Sequence, residues 1–454
     1  MSFNDWVAST RLRELIRPYW LKWFYFRLDK ANNPPYFREC WNYSTYPLGN
    51  SAPIPDPADD RADILFLPMV DWHTRIQRSQ SLARAFAESG HRCFYVNPHL
   101  GREFSTPYPF SPRRLVSVLE DRIYELHVHL VAEPVFHHRR LSTLESDAVV
   151  QAIRQLLTGC RCKQLVVLAS SPLWLDVAAR LREDLGCQII YDCHDLIEGF
   201  GNYHPALIEA ELEFLRTSDH VIFSSQWLQD HMTRRVPDAF AKCFLVRNGV
   251  SFPDFQQAPI REERRENSKR TIGYVGALEH WFASDWVRNA AKRRPEYRFV
   301  LVGRPTSPDV QALGSLPNVE LVGEVDHRVI PQYLEQFDVA MIPFAVCPLT
   351  LATNPIKLYE YFALGLPVVS SRLPEVESYG RFVYLADNEE DFVNRLDLAA
   401  QESAPDLRDE RRAVARSESW QSRSQLILER LGSVEGGRGE SGRIRRGSEF
   451  PNAG

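Results

Sequence analysis

The chain has 454 residues, with 54 Lys and Arg against 59 Asp and Glu and a formal net charge of −5. This length makes two or three domains of about 100–200 residues each the expectation, and the mildly acidic balance argues against a nucleic-acid-binding protein. The eight cysteines are scattered, with one C-x-C at Cys160 and Cys162 and no second pair to complete a zinc site, and no apolar run of about 18 residues marks a membrane-spanning helix.

Residues 1–60 read as an extension. Trp6, Leu12, Leu15, Ile16, Tyr19, Trp23 and Phe26 recur largely at helical spacing with Lys and Arg between them. A basic, aromatic amphipathic helix of this kind, over residues 6–30, either packs on its own domain or lies in a membrane interface. Arg11, Arg13, Arg17, Lys22 and Arg27 interrupt every candidate signal-peptide core, so the expectation is a cytoplasmic protein, with peripheral contact at the inner face of the plasma membrane as an option. Residues 31–60, rich in Pro, Asn and Asp, read as an irregular linker.

From residue 61 the pattern alternates. The spacing predicts strands at 64–68, 92–96, 123–131, 165–170, 188–193, 220–225 and 243–250, with helices over 76–89, 142–157, 172–185, 205–216 and 226–234 between them. Strand alternating with helix means a doubly wound, mostly parallel sheet over 61–255. The polar run 256–270 reads as an interdomain linker. A second series follows over 271–400: strands at 271–276, 297–303, 319–325, 339–344, 367–371 and 382–386, with helices at 283–293, 328–336 and 355–364. A single amphipathic helix is expected near 406–431, within a C-terminal helical segment 401–431. The Gly- and Arg-rich tail 432–454 reads as disordered. The fold class is therefore α/β, two Rossmann-like doubly wound domains in series. Open sheets bind ligands at the carboxyl ends of their strands, so two of them facing each other define one cleft.

One stretch is densely punctuated: TNPIKLYEYFALGLPVVSS, residues 353–371. Thr353 or Asn354 is expected to cap a helix whose first turn holds Pro355. Gly365 and Pro367 end it. The helix start, with the N–H groups at Ile356 and Lys357, suits a phosphate, and Glu360 one turn on could accept both hydroxyls of a ribose. The competing reading is a surface Lys357–Glu360 pair at i, i+3.

This stretch resembles the donor-site signature of group 1 (family 4) glycosyltransferases of the GT-B fold, in which a Glu followed by Gly and P-V-V binds the ribose of a nucleotide sugar. Glu360 matches that Glu. YVGALEHWF (274–282) resembles the first strand and turn of the C-terminal domain, where Gly276 lets the chain pass close to the diphosphate. FVLVGRP (299–305), LVRNGVSFPDF (245–255) and LPEV (373–376) fit in order. VDWHTRIQRSQSLARAFAESGHRCFYVNP (70–98) and YDCHD (191–195) are similar to the subgroup of teichuronic-acid-type glycosyltransferases that builds bacterial cell-surface polysaccharides. The resemblance spans roughly residues 62–430. It implies a hexosyltransferase-type enzyme of GT-B architecture with a C-terminal crossover helix. Its donor is a nucleotide-diphosphate sugar as co-substrate, with no other cofactor, and its acceptor a glycan or lipid-linked saccharide.

The sequence departs from that family at two places. Many members carry a further Glu where this chain has Ala352, and an Arg and a Lys where it has Ala277, Leu278 and Phe282. Charge for a diphosphate is then expected from the helix N–H groups, Lys357 and Arg304. Trp281 either stacks on the base or is a packed surface aromatic. Across the cleft, Asp71 or His73 is expected to meet the acceptor hydroxyl or the donor sugar, and Arg75 and Arg78 to hold a phosphate or an anionic acceptor. The competing reading is an Asp N-cap followed by a solvated helix face. His194 and Asp195 face the same region, Asp195 as a general base or merely a helix cap. No D-x-D motif stands in a suitable strand-end loop, so metal independence is expected. Two rival readings are a GT-B sugar-nucleotide epimerase and an inactive glycan- or partner-binding relative.

Overall fold

The computed structural model describes residues 43–48, 53–73, 75–98, 100, 114–130, 137–256 and 269–435. The expected amphipathic helix at 6–30, most of the linker 256–270 and the tail beyond residue 435 lie outside the described residues.

The apolar runs form two sheets. The first holds β1 (Ser44–Pro47), β2 (Asp63–Leu67), β3 (Cys93–Val96), β4 (Arg114–Glu120), β5 (Ile123–Val128), β6 (Leu165–Ala169), β7 (Gln188–Cys193), β8 (His220–Phe223) and β9 (Cys243–Leu245). Its nine strands run in the order β1-β4-β5-β3-β2-β6-β7-β8-β9. Only the pairings of β4, with β1 and with β5, are antiparallel. The second holds β10 (Thr271–Val275), β11 (Arg298–Val302), β12 (Val319–Gly323), β13 (Val339–Ile342), β14 (Val368–Ser371) and β15 (Val383–Ala386) in the order β12-β11-β10-β13-β14-β15, parallel throughout. β2 and β10 are buried along their whole length, because helices cover both faces of a parallel sheet.

The longer helices are α1 (Arg78–Glu88), α2 (Thr143–Gly159), α3 (Leu175–Leu185), α4 (Pro205–Thr217), α5 (Gln226–Arg235), α6 (Ser284–Arg293), α7 (Ile356–Ala363), α8 (Glu389–Ala400), α9 (Pro405–Ser417) and α10 (Trp420–Glu435). Three expectations need correcting. Segment 31–60 contributes β1, a strand rather than only linker. β4 and α8 had no counterpart among the expected elements. The expected helix 406–431 is two helices, α9 and α10, because the chain between them pairs with the first crossover: Val250 N–H donates to Glu418 O and Trp420 N–H to Val250 O. α10 thereby returns to the first lobe, where Trp420, Ile427 and Leu431 join the core of Ile64, Phe66, Leu82 and Phe86.

Candidate functional site

The strand carboxyl ends of the two lobes enclose a cavity of about 840 Å³. On the second lobe its wall is built by Gly276 after β10, Gly303 after β11, residues 324–328 with Ile330 and Pro331 after β12, and Ile356, Lys357 and Glu360 from α7. On the first lobe it is built by Trp72, His73, Arg75 and Gln77, in the loop between β2 and α1.

The α7 wall follows from local rules. Pro355 is the N-cap, with extended backbone, and no side chain caps the helix. The N–H groups of Ile356 and Lys357, which have no intrahelical partner, therefore stand at the cavity end of the helix, while Leu358 N–H donates to Pro355 O. Lys357 folds back over the aromatic rings of Phe344 and Tyr274, its Nζ at 4.7 and 5.4 Å from their centroids. Gly276 is the floor beneath it: a Cβ there would sit 2.9 Å from Lys357 Cε. Burial pushes the Lys357 ammonium down to about 8; Glu360 pulls it back up and Arg75 pushes it further down. Glu360 is nearly buried yet lines the cavity, and His327 Nε2 stands 3.4 Å from its Oε1.

Opposite, Asp71 and His73 behave differently. Asp71 Oδ1 accepts the His73 N–H at 2.7 Å, and Asp71 O accepts from Gln80 Nε2 at 2.9 Å. The carboxylate thus turns into its own loop and does not line the cavity. His73 does line it, with Nε2 2.7 Å from Glu125 Oε2. Glu125 is fully buried on β5, and Asn97 Nδ2 donates to its other oxygen at 2.8 Å. The surrounding histidines, His73 and His127, hold its carboxyl below the usual range against the opposing pull of burial.

Other expected site residues are spent on structure. Arg78 is buried, its Nε donating to Asp192 Oδ1 and Oδ2 at 3.0 and 2.8 Å and its Nη1 to Asn248 Oδ1 at 3.0 Å. Residue 78 opens α1, but its side chain runs inward to β7 and away from solvent. Asn354 is likewise consumed: its Oδ1 accepts from Asn248 N and Tyr359 OH, its O from Asn248 Nδ2, and its Nδ2 donates to Glu375 Oε2. Thr353 Oγ1 donates to Leu349 O. Neither caps α7 or lines the cavity. His194 and Asp195 also stand outside the cavity wall. His194 Nδ1 lies 3.1 Å from Asp192 O, and burial raises the Asp195 carboxyl against the opposing charge of His194. Trp281 packs edge-to-face on Phe200 of the first lobe, and Arg304 is exposed outside the wall.

Several polar wall residues went unrecognised in the sequence, among them Glu324, Asp326, His327 and Arg328. Their signal was position: polar residues directly after a parallel strand of the second sheet. Glu125 carried no such signal, because it is a charged residue inside an alternating strand.

The family described as Glycosyltransferase Family 4 matches residues 78–252, and that described as Glycosyl transferases group 1 matches residues 269–401. A teichuronic acid biosynthesis glycosyltransferase, TuaH of Bacillus subtilis (strain 168), is 29% identical over 265 residues, 54% of this chain and 67% of that protein. Among solved structures, sucrose-phosphate synthase from Thermosynechococcus elongatus superposes with a TM-score of 0.63 at 16% identity, covering 83% of this chain and all of that one. Anabaena HepE in complex with UDP and glucose gives 0.59 at 15% identity, covering 82% of this chain and all of that one. Two consecutive domain matches on the two lobes, on a fold shared with these enzymes, make the chain a GT-B glycosyltransferase of the group 1 and family 4 type.

Proposed function

We propose that this glycosyltransferase takes its sugar from a nucleotide-diphosphate sugar and passes it to a glycan or lipid-linked saccharide during assembly of a cell-surface polysaccharide. The observation that carries this reading is one wall of the cavity. The start of α7, Lys357, Gly276 and Glu360 lie together there, a cation and unspent N–H groups beside a carboxylate. The donor reading is supported by HepE, whose structures hold UDP, glucose or UDP-glucose, and the polysaccharide-assembly setting by TuaH, named for teichuronic acid biosynthesis.

In the reaction so proposed, the bond from the anomeric carbon to the diphosphate breaks through an oxocarbenium-like state. Negative charge grows on the departing phosphate, and preorganised N–H dipoles and Lys357 stabilise it without a metal ion. Glu360 accepts the ribose hydroxyls. His73, held by Glu125, faces the acceptor side and takes its proton. Closure of the lobes excludes water and limits donor hydrolysis. A cytoplasmic site of action, with residues 6–30 touching the inner membrane face, completes the reading. No helix among the described residues is long and apolar enough to cross a membrane.

A thermal-shift panel of nucleoside diphosphates tests the donor, since any ligand of the folded state raises its melting temperature by mass action. One diphosphate should stabilise the wild type and not Glu360→Ala, and turnover of the matching nucleotide sugar should require an acceptor. A panel with no stabilising nucleotide would refute the reading.

A further inference from the structure

A diphosphate in this cavity would meet few cations. In the segment after β10, Ala277 and the buried Leu278 and Phe282 bring no charge to it. Arg84 is engaged by Glu120 and Arg328 by Asp326. Lys357 is left on the second lobe. The other wall cation is Arg75, and it belongs to the first lobe.

Arg75 reaches across the cleft. Its Nε donates to Glu324 Oε1 at 2.8 Å, joining residues 249 positions apart in sequence and on opposite lobes. Its two Nη groups make no hydrogen bond among the described residues, and the side chain is 38% exposed against 13% for Glu324. The guanidinium also lies within electrostatic reach of Lys357 and Tyr274, the residues around the Gly276 floor. It lines the same cavity as Ile356 and Lys357 at the start of α7. A guanidinium fork suits a carboxylate and a phosphate by the same geometry, two parallel N–H···O bonds in a plane.

We propose that Arg75 is the diphosphate-binding cation that the second lobe lacks, and that Glu324 holds its Nε across the cleft until a nucleoside diphosphate, engaging the open Nη groups, draws the guanidinium away. This rests on the nucleotide-sugar reading above. The donor site is then composite: α7, Lys357 and Glu360 from one lobe, Arg75 from the other. Donor binding exchanges one interlobe bridge, Arg75 to Glu324, for another, Arg75 to phosphate to α7. Glu324 competes for the charge and position of the guanidinium, so removing its charge favours the ligand while removing Arg75 disfavours it. Opposite signs at the two ends of one ion pair distinguish this from a structural bridge, whose partners fail together.

The test is calorimetric titration of the wild type, Arg75→Ala and Glu324→Gln with UDP, ADP and GDP, each beside its parent nucleoside, at one fixed salt concentration. For whichever diphosphate binds the wild type, Arg75→Ala should weaken binding by about ten- to a hundredfold, the range of a lost charge-assisted hydrogen bond. Glu324→Gln should tighten it severalfold, and the parent nucleoside should bind all three proteins alike. Arg75→Ala binding diphosphate like the wild type, or losing nucleoside to the same degree, overturns the assignment of Arg75. Glu324→Gln weakening diphosphate as Arg75→Ala does overturns the displacement. A wild type that binds none of the three diphosphates overturns the nucleotide-sugar reading itself and this inference with it.

Discussion

Two side chains hold protonation states that their burial makes unusual, and each carries a measurable consequence. Lys357 is pushed from the ordinary lysine value of 10.5 down to about 8 by burial, so in the free protein its charge is lost as pH rises through about 8. Nucleoside diphosphate affinity should be flat below that point and fall above it, toward tenfold per pH unit, because the ligand needs the ammonium form. Lys357→Arg should remove the falling limb; affinity that declines equally in Lys357→Arg would place the titration elsewhere. For stability the same shift acts in the opposite sense. Between about 8 and 10.5 the unfolded chain binds more protons at this residue, so its contribution to stability rises with pH. Glu211 on α4 is the second case. It is fully buried, and burial lifts its carboxyl to about 7 although Tyr191 OH donates to Oε1 at 2.8 Å. A raised carboxyl keeps its proton in the folded state, so the stability it contributes is full below about 4.5 and is lost as pH climbs through about 7. Glu211→Gln keeps the acceptor for Tyr191 and never ionises. It should match the wild type in stability near pH 4.5 and exceed it at pH 8 by about 1–3 kcal/mol, read as a higher melting temperature. Equal melting temperatures at pH 8 would mean that Glu211 stays protonated there.

At the scale of elements, α7 shows how a short helix is held in place. Its C-terminal end is a Schellman motif: Leu366 N–H donates to Tyr361 O and Gly365 N–H to Phe362 O, with Gly365 at φ +72°. A Cβ on Gly365 would also lie 2.5 Å from Arg408 Cγ and 2.8 Å from Arg408 O on α9. Gly186 ends α3 at φ +66° with nothing within 4 Å of the same atom. Gly186→Ala should therefore cost only backbone strain, about 1–2 kcal/mol. Gly365→Ala should cost more, because α9 must shift as well; denaturant midpoints of the two variants decide it, and equal losses would show that α9 yields freely. The C-terminal end of α7 was legible in the sequence, since Gly and Pro punctuate locally. Its start was not read correctly, because Asn354 looks like a cap and only the folded chain reveals that Asn248 and Glu375 claim it. The parallel strands were legible as apolar runs. The break between α9 and α10 was not, because it is made by pairing with Val250, far away in sequence. Arg78 failed for the same reason: its partner Asp192 lies 114 positions on, and helical position alone pointed it at the cleft.

For the whole molecule, the decisive feature is that the chain crosses between lobes twice and the crossovers are bonded to each other. Around them lies a polar seam: Ser225 Oγ donates to Ala352 O, Gln226 N–H and Arg247 Nε to Glu375, and Arg423 Nε to Asn248 O. The first three tie the lobes at the hinge and the last ties α10 to the start of the first crossover, while the Arg75–Glu324 pair is the contact that a ligand can exchange at the cleft. The second crossover delivers α10, the last described helix, into the core of the first lobe, so that lobe is assembled from two distant pieces of chain. Its stability must then depend on residues that follow the whole second lobe in sequence. Ile427 is fully buried there, and Ile427→Ala should cost about 2–4 kcal/mol, as a buried large-to-small substitution does. Hydrogen exchange locates that loss. Amides of β2, β3 and β6 should lose protection, while those of β10, β11 and β13 keep it, because α10 packs on α1 and not on the second sheet. Loss of protection confined to β10, β11 and β13 would mean that α10 serves the lobe it follows, and the two-piece construction of the first lobe would have to be abandoned.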